Sequence, residues 1–196
     1  MATTPAISVE EYLHSSYEPD MEYIDGQLEE RNVGEIEHSE VIAAILGWFI
    51  QHAGEWQIRV LPDVRTQVGP TRFREPDIAL CARSSQDKRI GREAPVMVIE
   101  VLSPEDRISH HHQRIADYRA MGVRSIWVVD PENRRGWDCS TGNWIETTDF
   151  RLAPAYMKLA DVFAGLTIRP QFDVLLKSRL FCRTSVPPQQ KSKPEL

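Results

Sequence analysis

Pro95-Val96-Met97-Val98-Ile99-Glu100-Val101-Leu102 is apolar at nearly every position and opens on a proline. Hydrophobic residues on both alternating faces predict a central strand covered on its two sides. Glu100 interrupts the pattern. An unpaired carboxylate in such a setting costs several kcal/mol, so Glu100 must be paired, protonated, exposed at a strand end or bound to a cation. Downstream, the pattern predicts a helix from about Arg107 to Met121 that stops at Gly122. Ser125-Ile126-Trp127-Val128-Val129-Asp130 then reads as a second buried strand before Pro131. Strand, helix, strand predicts a right-handed parallel crossover.

Upstream, Glu75-Pro76-Asp77-Ile78-Ala79-Leu80-Cys81 reads as a strand, with further strand character at Gln57 to Leu61 and Arg65 to Val68. Gly69-Pro70 provides a turn, and these strands are expected to be antiparallel neighbours. Ala82 to Ala94 has the composition of a solvated loop. A helix is predicted from about Glu37 to Ala53, with Val41, Ile42, Ile45, Leu46 and Phe49 at helical spacing and Gly54 at its stop. Asp25-Gly26, between Glu22-Tyr23-Ile24 and Gln27-Leu28-Glu29, predicts a hairpin with a type I′ turn. Ser8 and Glu11 form a capping box for a short first helix.

Beyond Asp130, Gly136 to Cys139 and Trp144 to Thr147, joined by Thr141-Gly142-Asn143, are expected to extend the sheet. Leu159 to Ala164 reads as a short helix and Phe172 to Phe181 as an amphipathic or extended piece. The expected organisation is one α/β domain over residues 1–183, followed by a frayed tail at 184–196. Its mixed central sheet carries one long helix on each side, with an N-terminal β-hairpin.

The chain has 196 residues, 41% hydrophobic and 27% charged, values that fit one globular core and exclude wholesale disorder or a coiled-coil rod. Its longest apolar stretch, Val41 to Ile50, is about half of a bilayer span, which excludes a membrane helix. The opening Met-Ala-Thr-Thr-Pro shows no secretory pattern, so a cytoplasmic location is expected. Cys81, Cys139 and Cys182 are far apart and suggest neither a disulfide framework nor a zinc cage. With a net charge of -6, any polyanion must be met by a local basic patch or by metal.

Asp77 and Glu100 are the chemically informative pair. The plain alternative for each is a salt bridge to Arg72, Arg74 or Arg114. If their strands pair, however, both carboxylates converge on one hard cation, and the Val101 carbonyl adds a third oxygen. Such a centre supports metal-assisted hydrolysis of a phosphodiester.

The runs Glu22-Tyr23-Ile24-Asp25-Gly26-Gln27-Leu28, His38, Pro76-Asp77 and Val98-Ile99-Glu100-Val101-Leu102-Ser103-Pro104, then Tyr118 to Gly122 and Trp127-Val128-Val129-Asp130-Pro131, resemble the Uma2 family. That family, formerly a domain of unknown function, belongs to the PD-(D/E)XK, restriction-endonuclease-like superfamily, and the resemblance spans roughly Ser8 to Leu166. It implies that Asp77 and Glu100 are the acidic ligands of Mg2+ or Mn2+ and that His38 lies near the same cleft; the expected catalytic set is Asp77, Glu100, Arg114 and His38, and the expected metal ligands are Asp77, Glu100 and, from the strand reading above, Val101. The superfamily's strand pattern is Glu-x-Lys, but Leu102 holds the lysine position here. Uma2-like sequences move the lysine to the following helix, where this chain has Arg114, which keeps its charge but is a poor proton acceptor.

His110-His111-His112 cannot all face one metal, because successive helical residues diverge by about 100°. A solvated helix start is the plain reading, with His111 the one nearest the sheet side. Lys88, Arg89 and Arg92, with Arg72 and Arg74, suggest a basic rim. The five tryptophans read as packing residues, and Glu22 ranks behind the other site candidates. The resulting expectation is a divalent-metal-dependent endonuclease acting on DNA, with homodimerisation compatible with the superfamily. The alternatives are an inactive nuclease fold that binds nucleic acid or protein, and a metal-dependent hydrolase of another substrate.

Overall fold

Residues 6–31, 35–86, 88–103 and 108–167 are described by the computed structural model. They lie in a compact unit spanning Met1–Leu166, except Thr167, which begins a second unit. The segments expected at 172–181 and 184–196, and Cys182, lie outside the described residues. In chain order the elements are α1 (Val9–His14), β1 (Met21–Ile24), β2 (Gln27–Glu30), α2 (Ile36–His52), β3 (Ile58–Pro62), β4 (Thr66–Gly69), β5 (Arg72–Arg74) and β6 (Ile78–Ala82). They continue with β7 (Met97–Val101), α3 (Ile108–Met121), β8 (Ser125–Asp130), β9 (Arg135–Asp138), β10 (Ile145–Glu146), β11 (Asp149–Leu152), β12 (Ala155–Lys158) and α4 (Leu159–Thr167).

The apolar stretch is β7, buried at every position and central in a six-stranded sheet of order β10-β9-β8-β7-β6-β3. β7 and β8 pair in parallel across the α3 crossover, while the other pairings are antiparallel. Alternate residues of these strands feed two separate cores. Ile78, Leu80, Met97, Ile99, Trp127 and Val129 pack with Val41, Ile45 and Phe49 of α2. Val98, Ile126 and Val128 pack with Ile115 and Tyr118 of α3. The two long helices therefore cover opposite faces, which explains why β7 and β8 have no polar face.

The hairpin belongs to a four-stranded antiparallel sheet, order β2-β1-β5-β4, wider than the isolated hairpin the sequence predicts. Asp25 and Gly26 both have positive φ, as the type I′ turn requires. A Cβ on Gly26 would also stand 3.1 Å from that of Ala6. Tyr12 of α1, Tyr23 and Phe73 form the small core of this sheet.

Three sequence expectations need correction, and one hairpin is added. The strand expected over Arg65 to Val68 is not a neighbour of those at Gln57 to Leu61 and 75–81: as β4 it pairs with β5 in the four-stranded sheet, while β3 pairs with β6 in the six-stranded one. The strand expected over 75–81 begins at Ile78, and Glu75-Pro76-Asp77 is the crossing from the four-stranded sheet to the six-stranded one. Gly54 is not a left-handed helix stop: Ala53 remains right-handed, and Gln57 takes the positive φ before β3. The β11–β12 hairpin, unassigned in the sequence reading, packs Phe150, Ala155 and Met157 into the α2-side core.

Candidate active site

The crossing at Pro76-Asp77 places two carboxylates at one end of the central sheet. β6 and β7 pair with Ile78 opposite Ile99, so continuing that register by one residue sets Asp77 beside Glu100. Asp77 Oδ2 accepts the Val101 backbone N–H at 2.7 Å. Both side chains are buried, Glu100 completely. Glu100 shares the α3-side face with Val98, and Tyr118 Oη donates to its Oε1 at 2.6 Å. Glu100 Oε2 is buried without a hydrogen-bond partner.

Arginines surround the pair. Arg31, just after β2, donates from Nη2 to Asp77 Oδ1 at 2.7 Å and from Nη1 to Asp63 Oδ1 at 2.7 Å. From α3, Arg114 donates to Glu22 Oε1 at 2.8 Å and to the Glu75 carbonyl at 3.0 Å, and its Nη1 lies 3.5 Å from Glu100 Oε2. His38, in the first turn of α2, puts Nε2 at 3.7 Å from Asp77 Oδ2. All four residues expected to be catalytic are therefore drawn to one place, and Val101 presents its peptide there.

These neighbours separate the two carboxyls electrostatically. Burial works against the Asp77 charge, but His38, Arg31 and Arg114 together hold its carboxyl below the ordinary range. Burial, opposed by Arg114 and reinforced by Asp77, pushes Glu100 above that range. The two carboxyls are thus shifted in opposite directions.

Glu22, ranked low in the sequence, is integral to the network. It accepts Arg74 Nη1 at 2.6 Å, the Glu75 backbone N–H at 2.9 Å and Arg114. Burial alone would raise it, yet Arg114 and Arg74 lower it below the usual range. Sequence reading missed Arg31, Glu75 and Tyr118. Tyr118 carried a usable signal, standing four residues after Arg114 on the sheet-facing side of the helix. Arg31 and Glu75 carried none, since their roles arise where the two sheets meet.

Two further expectations are revised. His111 is the sheet-side histidine, as its helical position suggested, but it is buried at 1% exposure rather than part of a solvated helix start, and its position on α3 favours the charge of Glu100. Arg72 and Arg74 do not form a basic rim: Asp25, Asp117, Glu22 and Glu29 bind them. Lys88 and Arg89 line a separate cleft of about 120 Å³ with Arg59. Nearer the carboxylates, His38, Leu102 and Ser103 line a cleft of about 160 Å³ whose other walls are Glu35, Glu37, Asp130, Pro131 and Glu132.

The residues fit a hard divalent cation. Glu100 Oε2, which has no hydrogen-bond partner, the Asp77 carboxylate and the Val101 carbonyl would make an all-oxygen donor set, leaving other positions to water or substrate. Among the described residues, no three His, Cys, Asp or Glu side chains are grouped to hold a metal, so a third protein ligand would come from the main chain.

A mixed sheet covered on both faces by helices, with Glu100 in its central strand and Asp77 just before the neighbouring strand, is the arrangement of a restriction-endonuclease-like fold. The sequence model of the Uma2 family, described as "Putative restriction endonuclease", matches residues 9–170, and the chain belongs to that family. A crystal structure described as a "putative nuclease belonging to DUF820", from Anabaena variabilis, aligns over 82% of this chain and 99% of its own. The TM-score is 0.69 and the identity 19%, a likeness of fold. The DrdV–DNA complex aligns over 74% of this chain and 13% of its own, at a TM-score of 0.40 and 15% identity. Comparison with curated proteins finds no match. No described helix is long and apolar enough to cross a membrane.

Proposed function

We propose that this protein is a divalent-metal-dependent endonuclease that hydrolyses DNA phosphodiester bonds. The observation that carries the reading is the buried carboxylate pair, Asp77 beside Glu100 at one end of the central sheet, with Glu100 Oε2 lacking a hydrogen-bond partner. Family membership supplies the reaction class. Asp77, Glu100 and the Val101 carbonyl would hold Mg2+ or Mn2+, which when bound lowers the pKa of water and offsets charge on the phosphate. Val101 N–H and Arg31 orient Asp77, while Tyr118 orients Glu100. Arg114 offers fixed positive charge at the pair, and His38 is the imidazole at Asp77 able to take or return a proton.

Purified protein with supercoiled plasmid and Mg2+ or Mn2+ is expected to nick it, and Asp77→Asn is expected not to. Equal nicking by both proteins would signal contamination and remove the reading.

One observation favours a catalytically silent, DNA-binding reading: Arg114 is already engaged by Glu22, Glu75 and Glu100. Retarded DNA without cleavage, unaltered by Arg114→Lys, would select this alternative. Cleavage gained by Arg114→Lys would select a nuclease weakened by the substitution.

A further inference from the structure

Arg31 occupies the position that a cation would have to share. Its guanidinium lies 2.7 Å from Asp77 Oδ1, while Asp77 Oδ2 is engaged by the Val101 N–H. A divalent ion held by Asp77 and Glu100 would therefore meet a fixed positive charge on the Asp77 side. Like charges on one buried carboxylate repel, so the ion and the Arg31 guanidinium compete for it. Arg114 stands on the Glu100 side, its Nη1 3.5 Å from Glu100 Oε2, and its bonds to Glu22 and the Glu75 carbonyl hold it there.

Arg31 differs in having somewhere else to go. Its Nη1 already donates to Asp63 Oδ1 at 2.7 Å, and Glu75 Oε2 lies 4.0 Å away. The Asp63 side chain is 59% exposed and that of Arg31 16%, so this pair borders solvent while Asp77 is buried. Releasing Asp77 would leave Arg31 paired rather than stranded.

Resting on the proposed metal-dependent reading, we propose that Arg31 is the internal counter-cation a divalent ion displaces from Asp77, and that Asp63 is the carboxylate that receives it. Arg31 is thus a positioning residue that sets the affinity of the centre.

The test is Mn2+ binding to the full chain by isothermal titration and electron paramagnetic resonance, with melting curves of each metal-free variant as a folding check. Arg31→Met is expected to tighten Mn2+ binding by about tenfold or more, because the competitor is gone. Asp63→Asn, a change at an exposed residue, is expected to weaken it, because Arg31 then has Asp77 as its main partner. Were Arg31 needed to hold Asp77 in place for the ion, Arg31→Met would weaken binding instead, and that result would overturn the proposal. Unchanged affinity in both variants would overturn it equally. If wild type binds Mn2+ and Asp77→Asn does not, the metal reading stands whatever Arg31 does. If neither wild type nor Arg31→Met binds, the metal reading fails and this inference with it. Binding by Arg31→Met alone would support both.

Discussion

The carboxylate of Asp77 accepts the backbone N–H of Val101 at 2.7 Å, which ties the residue before β6 to the last residue of β7. The same side chain is thus a strand connector and a candidate metal ligand. Substitution should separate these tasks. Asparagine keeps an acceptor for the Val101 N–H, whereas alanine leaves that buried donor unmet, at about 1–3 kcal/mol. Urea unfolding is expected to rank Asp77→Ala below Asp77→Asn by that margin, while both lose Mn2+ binding. Equal stabilities would show that the Val101 contact contributes little to the fold.

Arg114 spans two buried carboxylates, Glu22 at 2.8 Å and Glu100 at 3.5 Å. Removing it leaves both without this charge partner, whereas breaking one buried pair commonly costs about 3–5 kcal/mol. Arg114→Met is expected to lose at least that order of stability in urea unfolding. Arg114→Lys should recover only part, because one ammonium cannot reproduce the planar fork across Glu22, Glu75 and Glu100. Full recovery by lysine would mean that charge alone matters at this position.

The sequence exposed those parts of the site whose pattern is local. Glu100 stands out because its neighbours in β7 are apolar, and Asp25-Gly26 names its own turn. Arg31 and Glu75 had no such contrast, since each sits among other charged residues; Arg31 meets Asp77 only through the apposition of two sheets, and Glu75 meets Arg65 by continuing the β4–β5 register. The β11–β12 hairpin was legible in principle. Phe150 and Leu152, then Ala155 and Met157, alternate around Ala153-Pro154, but four-residue strands carry too little periodicity to stand out. Helical spacing singled out His111 as the sheet-side member of the histidine run, but a solvated helix start was expected where His111 is buried.

Acid should reveal the contribution of Glu22. Its carboxyl sits below the ordinary range because Arg114 and Arg74 outweigh its burial. A group with a lowered folded-state pKa adds stability above its unfolded pKa, about 4.3 for glutamate, and loses it as pH falls through the folded value. Wild type is therefore expected to lose stability steadily from about pH 4 downward. Glu22→Gln should be less stable at pH 7 and show a shallower slope in that acid window. Parallel profiles for the two proteins would place the acid sensitivity elsewhere.

Packing on the opposite face offers an independent check on the fold. A Cβ at Gly136 would stand 2.6 Å from Phe150 Cζ and 3.2 Å from Leu159 Cδ2. The Phe150 ring stacks on Trp127 at 4.4 Å, so it has little room to withdraw. Gly136→Ala is therefore expected to destabilise by about 1–3 kcal/mol through overpacking. Trimming the ring with Phe150→Leu in the same chain should return part of that loss, a coupling that a double-mutant cycle in urea measures. Because Phe150 belongs to the α2-side core and Glu100 faces α3, Mn2+ affinity should be unchanged in the folded Gly136→Ala protein. Additive losses would show that Phe150 does not set the glycine requirement at position 136.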